Sequence, residues 1–244
     1  MIHSISNYKF VINYPATYQN LPCDDQMVGE IVFDGKQFKT ANGSLQFNLL
    51  RKANLNGQAR LSVDYKNSNS IPKKHLRMVV LLESPHVDEF AVTGQSYSTA
   101  PAWGRTGDRF DSYFLKVLNN PNNFSNIVSK LVGMPQQGNV IFDIYFINAI
   151  QFQCSLGLNL KIANTLRDNI FFGLWNSNPN SFKQDLIDRL DFIDPYIIIN
   201  ACTINLQRLC VNASSLCPYL KNKNVIFLSS NEHMSCWCKG TFII

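Results

Sequence analysis

Charge is scarce in this sequence. Asp, Glu, Lys and Arg together make up 16% of its 244 residues, while 45% are hydrophobic. A disordered chain needs the opposite balance, so the composition excludes one and provides for a sizeable buried core. The remaining polarity is carried largely by neutral groups, among them 28 asparagines. No apolar run approaches the ~18 residues that read as a membrane span, so no transmembrane helix is expected. The N-terminal MIHSISNYKF has no long apolar core after a charged start, which argues against a secretory signal and for the cytoplasm.

Metal-binding spacing is missing too. The seven cysteines, at 23, 154, 202, 210, 217, 236 and 238, contain no CxxC pair. Cys236 and Cys238, two apart, suit neither a zinc knuckle nor an easy disulfide. Cys202 and Cys210 sit in apolar surroundings and read as core fillers. Reduced thiols are expected, with no metal. There is no G-x-S-x-G element and no phosphate loop, which leaves an unrelated α/β hydrolase or nucleoside-processing enzyme without support. Internal repeats and low-complexity tracts are absent. The net charge, 22 − 17 = +5, is mildly basic and compatible with nucleic acid.

Two styles of pattern divide the chain. Residues 1–70 hold short, partly alternating runs punctuated by Asp34-Gly35, Asn42-Gly43 and Asn56-Gly57, which are hairpin signals. They predict a β-rich N-terminal extension, followed by a polar linker over 66–74. From residue 76 the pattern is α/β. Continuous apolar runs at 76–83, 139–150, 195–202 and 224–230 read as buried parallel strands. Helical spacing appears at 107–118, through Phe110, Phe114 and Leu118, and at 162–175, 181–193 and INLQRLCVNASSL. Ser181 and Gln184 have capping-box spacing. The expected fold is a three-layer α/β/α domain over 76–244 around a mostly parallel four-stranded sheet.

Ligands of such sheets bind beyond the carboxyl ends of the strands. Polar residues gather there at three places. The first strand runs into Glu83-Ser84-Pro85-His86-Val87-Asp88-Glu89, which is either a site or a solvated loop with Ser84 or Asp88 capping a helix. The second ends in Asn148, whose amide offers an acceptor and two donors to a nucleobase edge, or to a neighbouring loop. The fourth is followed by His233 and Trp237.

Together these ends resemble the uracil-DNA glycosylase superfamily. Glu83-Ser84-Pro85 looks like the Gly-Glu-Ala-Pro-Gly element of its iron–sulfur branch, and Glu89 falls where that branch carries a second acid. Pro101-Ala102-Trp103-Gly104-Arg105-Thr106-Gly107 is similar to Pro-Phe-Val-Gly-Arg-Ala-Gly. Phe146-Ile147-Asn148-Ala149 looks like the base-reading Leu-Leu-Asn-Ala strand end, and His233-Met234-Ser235 like His-Pro-Ser. The four motifs keep their order across 76–244, while residues 1–70 have no counterpart. There are departures. Leu82 and His86 replace the two glycines, Ala102 stands where the base-stacking aromatic belongs, with Trp103 adjacent, and Met234 replaces the proline. An insertion spans 90–100, and the cluster cysteines are absent.

The resemblance implies a monomeric, cofactor-free DNA glycosylase that flips a base from the duplex and cleaves its glycosidic bond. It casts Glu89, with Glu83 second, as the carboxylate that stabilises the sugar cation and orients water, and His233 as donor to the departing base. Asn148 reads the base, in a pocket with Pro85, His86, Ala102 and Trp103. Ser84, Arg105, Ser235 and Lys239 are phosphate contacts, and Trp237 is the wedge filling the vacated stack. The altered pocket lip favours a modified or bulky pyrimidine, such as glucosylated hydroxymethylcytosine of phage DNA, in an antiviral role. The alternatives are uracil excision in base-excision repair, and a non-catalytic DNA- or base-binding module on the same fold.

Overall fold

The computed structural model describes residues 22–41, 61–67, 69, 71, 74–85, 89, 101–102, 105–131, 139–154, 161–176, 182–202, 225–230, 237 and 242–243. Four apolar runs form the middle of one sheet: β4 (Leu76–Leu82), β5 (Val140–Asn148), β6 (Ile197–Asn200) and β7 (Ile226–Ser230). These four are mutually parallel, in the spatial order β5-β4-β6-β7. Their continuous hydrophobicity follows from burial on both faces.

The sheet is larger and more mixed than the four parallel strands expected. Among the described residues it has eight strands, because four that pair antiparallel are added at its flanks. β1 (Gln26–Phe33) lies antiparallel beside β5, with Gln26 opposite Phe146 and Phe33 opposite Val140, and a bulge between Met27 and Gly29. β2 (Phe38–Thr40) and β3 (Leu61–Ser62) pair with β1, and β8 (Phe242–Ile243) pairs with β7. The N-terminal segment is thus a lateral continuation of the α/β sheet. The Asp34-Gly35 signal does make the β1–β2 hairpin. Asp34 Oδ1 accepts from the backbone N–H of Lys36 and of Gln37, both at 2.9 Å, and Gly35 takes the positive φ of 86° that the turn needs. The signals at 42–43 and 56–57, the helix proposed at 204–216 and the Ser181 cap lie outside the described residues.

Helices cover both faces. On one, α1 (Arg105–Leu118) sets Phe110, Phe114 and Leu118 against Met78, Val80, Phe142, Ile144 and Phe146, with α2 (Pro121–Lys130) beside it. Phe110 stacks on Phe114 at 4.1 Å and meets Phe146 edge-on at 4.8 Å. On the other face, α3 (Lys161–Trp175) and α4 (Phe182–Ile193) set Phe171, Leu174, Trp175, Leu186 and Leu190 against Val79, Leu81, Tyr145, Ile147 and Ile198. Each such side chain contributes about 1.5–3 kcal/mol of burial. The layering is α/β/α. The α2 helix is an addition to the expected elements. Asn120 caps it, accepting from Asn122 N–H at 3.1 Å, and Pro121 opens it. Among the described residues no helix is long and apolar enough to cross a membrane.

Candidate active site

The parallel register brings the polar strand ends side by side. Asn148 sits opposite Leu82, with Glu83 just past the end of β4, and Asn200 of β6 lies between Leu81 and Ser229. Pairing runs past the strands: Ala149 N–H donates to Leu82 O at 2.7 Å, and Ile150 N–H to Glu83 O at 3.1 Å. Glu83, Asn148, Asn200 and Ser230 are all buried.

Asn148 is the most unusual of them. Its side chain is 0% exposed, and neither its amide nitrogen nor its amide oxygen has a hydrogen-bond partner among the described residues. A buried polar group left so costs about 1–3 kcal/mol, and folded proteins rarely tolerate it without a use. Asn200, two strands over, instead turns its Oδ1 back to accept from Cys202 N–H at 3.1 Å.

The backbone of Asn148 is held firmly. Its N–H donates to Asp25 Oδ1 at 3.3 Å, and its carbonyl accepts from Arg189 Nη1 at 3.0 Å. The Ala149 carbonyl accepts from Arg189 Nη2 at 3.2 Å. Arg189 reaches across from α4 and is itself paired with Asp25 Oδ2 at 2.7 Å and with Asp185 Oδ2 at 2.8 Å. Tyr65 O–H donates to the same Asp25 oxygen at 2.6 Å. Burial pushes the Asp25 carboxyl up from its ordinary value, against the pull of Arg189 and Tyr65. Burial works against the Arg189 charge, but the Asp25 and Asp185 carboxylates outweigh it and hold the guanidinium protonated. This clamp joins the N-terminal segment to α4 at the strand end that carries Asn148. Sequence reasoning missed it. One signal was there: Arg189 falls on the stripe of α4 that buries Phe182, Leu186, Leu190 and Ile193.

The two candidate carboxylates part company. Alternation along β5 places Asn148 with Phe146, on the α1/α2 face. Glu89 belongs to that side: it is 3% exposed, and its Oε1 accepts from the N–H of Ala102, which is packed in the same core cluster as α1. Ala102 holds a positive φ of 53°, a conformation that costs a residue with a Cβ roughly 1–2 kcal/mol. Glu83 follows Leu81 by two on the opposite face, where Arg167 of α3 pairs with its Oε1 at 3.1 Å.

Trp237 requires a correction. As a wedge it should stand at the surface, yet its ring is 0% exposed. It stacks on Phe114 at 6.2 Å and donates from Nε1 to Ser230 Oγ at 2.7 Å. Large apolar area and a satisfied indole N–H make it part of the α1-side core. Pro85 is buried and Ser84 half-buried. His86, Trp103, His233, Ser235 and Lys239 lie outside the described residues, as does the side chain of Arg105. Cys202, read as a core filler, is buried, as are Cys23 and Cys154, and its thiol donates to Leu81 O at 3.8 Å, while Cys210 lies outside the described residues.

No protein-family model, curated protein or solved structure matches the chain.

Proposed function

We propose that this chain is a DNA glycosylase that extrudes a pyrimidine and hydrolyses its N-glycosidic bond, leaving an abasic site. The observation that carries the reading is Asn148, a fully buried amide with no partner among the described residues, at the carboxyl end of a central parallel strand and with its backbone clamped on both sides. Such an amide matches a base edge that offers both a donor and an acceptor. Glu89 is buried on the same side of the sheet and serves the sugar. As the C1′–N bond breaks, its carboxylate stabilises the oxocarbenium-like centre and takes the proton of the water that adds to C1′. The base leaves as an anion, and His233 donates to its carbonyl oxygen. Flipping costs a few kcal/mol of stacking, least where the base is unpaired or mismatched. The substrate class is a modified or bulky pyrimidine, with an antiviral role. Ala102, where the resemblance expects an aromatic ring, supports a pocket with room above the base.

The test pairs activity with stability. Duplexes carrying uracil, hydroxymethylcytosine or glucosylated hydroxymethylcytosine are incubated with the protein and treated with alkali to reveal abasic sites. Asn148→Leu abolishes base release while leaving the fold as stable or more so, because the unsatisfied amide is gone. A marked loss of stability in Asn148→Leu shows the amide to be structural and removes the central support. Absence of alkali-labile sites on every duplex refutes the glycosylase reading. A second reading, a base-binding module without chemistry, draws on one observation: Glu83 is engaged by Arg167. It predicts retention of modified duplexes on the protein with no abasic product.

A further inference from the structure

A second polar cluster lies away from the strand ends. Glu30 of β1 and Asp143 of β5 are register partners, and Arg77 of β4 flanks Asp143 on its other side. His75, just before β4, completes the group. Its Nδ1 is 2.8 Å from Asp143 Oδ1 and 3.9 Å from Glu30 Oε1. One ligand atom from each of the three lies within 4.8 Å of the others. An ordinary His–carboxylate pair accounts for one oxygen of Asp143. It does not account for the second: the side chain is 0% exposed, and Oδ2 has no partner among the described residues. Arg77 acts on the Asp143 charge from the neighbouring strand, but its Nη2 pairs with Asp194 Oδ2 at 3.2 Å, and Asp143 Oδ2 itself stays without a hydrogen bond among the described residues.

The geometry points to a divalent metal site formed by Glu30, His75 and Asp143, for a borderline cation of the Zn2+ type. An imidazole nitrogen with two carboxylate oxygens suits such ions, whereas Ca2+ and Mg2+ favour oxygen alone. Ligand bonds of about 2.0–2.2 Å put neighbouring donor atoms roughly 3–3.5 Å apart. The 2.8 Å and 3.9 Å separations from the His75 nitrogen bracket that value, and the Glu30 and Asp143 oxygens lie within 4.8 Å of each other. Closing the set asks most of Glu30, whose side chain is 40% exposed and has room to move. The two carboxylates balance the charge of the ion, and water fills the remaining positions. Asp143 is five residues along β5 from Asn148, about 17 Å at the rise of an extended strand. The ion is therefore structural, fastening β1 and the chain entering β4 to β5, and it is independent of the reaction proposed above.

The experiment is a titration of the chelator-treated full-length chain with Co2+ and Zn2+, followed by calorimetry, absorption and thermal unfolding. One equivalent binds and raises Tm, without the thiolate charge-transfer absorption that cysteine ligation gives to Co2+. His75→Ala and Glu30→Gln each weaken binding at least tenfold, the scale on which even outer partners of metal ligands act. Glu30→Gln is a half-exposed, shape-conserving change, so it decides the matter even where His75→Ala unfolds. No stoichiometric binding, binding with a thiolate band, or binding unaltered by Glu30→Gln each overturns the assignment.

Discussion

Replacing Arg189 by Met tests whether the clamp on Asn148 acts as described. Methionine roughly keeps the aliphatic volume and removes every donor. Four contacts go: Asp25 Oδ2, Asp185 Oδ2, and the carbonyls of Asn148 and Ala149. Asp185 is at the partly exposed edge and can be rehydrated, so its loss counts little. Asp25 is 0% exposed and is left as a buried carboxylate with, among the described residues, only the Tyr65 hydroxyl and the Asn148 N–H. Removing one partner of a buried pair costs about 3–5 kcal/mol. The variant can soften this by protonating Asp25, whose pKa burial already raises above the usual 3.8. An acid whose folded pKa lies above its unfolded one loses folding stability as pH rises between the two. The penalty in Arg189→Met is therefore smallest near and below pH 3.8 and grows as pH rises toward the folded pKa. Urea unfolding followed by circular dichroism at several pH values measures it, and Asp25→Asn in the same background recovers part of the loss. A penalty below about 1 kcal/mol at neutral pH, or one that grows on acidification, refutes the clamp as an energetic element.

Three further outcomes are expected. Glu89→Gln keeps an acceptor for the Ala102 N–H but lowers single-turnover base release by about 10²-fold, while Glu83→Gln, on the other face, lowers it less; the reverse ranking exchanges their roles. Trp237→Ala opens a core cavity and costs about 3–5 kcal/mol in denaturant unfolding, with activity loss equal on paired, mismatched and single-stranded substrates; a loss confined to paired substrates restores the wedge. Asp34, held down to about 2 by Lys39 and by the N–H groups of Lys36 and Gln37, contributes stability that is complete above its usual 3.8 and lost as pH falls through about 2; acid unfolding of Asp34→Ala and the parent converges there, and a gap that persists at lower pH contradicts the assignment.

The four parallel strands could be read in advance because burial on both faces leaves an unbroken apolar run, a pattern needing no knowledge of neighbours. The Asp34-Gly35 turn was equally local. The pairing of β1 with β5 was not, since its partner lies far along the chain and nothing in QMVGEIVF specifies it. α2 escaped notice because its apolar positions are few, although Asn120-Pro121 marks its start. At the site, Asn148 stood out as a lone polar residue ending an apolar strand. Asp25 and Arg189 did not stand out together, because a charge pair 164 residues apart leaves no spacing to detect. The same blindness applies to Glu30, His75 and Asp143, which motif spacing rules never bring together.

The Asp25–Arg189 bridge also imposes an order on synthesis. At ~5–20 residues per second, Arg189 leaves the ribosome roughly 8–30 s after Asp25. In that interval Asp25 has no Arg189 to pair with, and settling β1 into its buried place beside β5 carries the cost of an unpaired buried acid. The nascent chain therefore carries an apolar strand with an unpaired edge until α4 is made. A stalled or truncated chain ending before Arg189 stays in that state, so aggregation, rather than a smaller folded fragment, is the expected fate of interrupted synthesis.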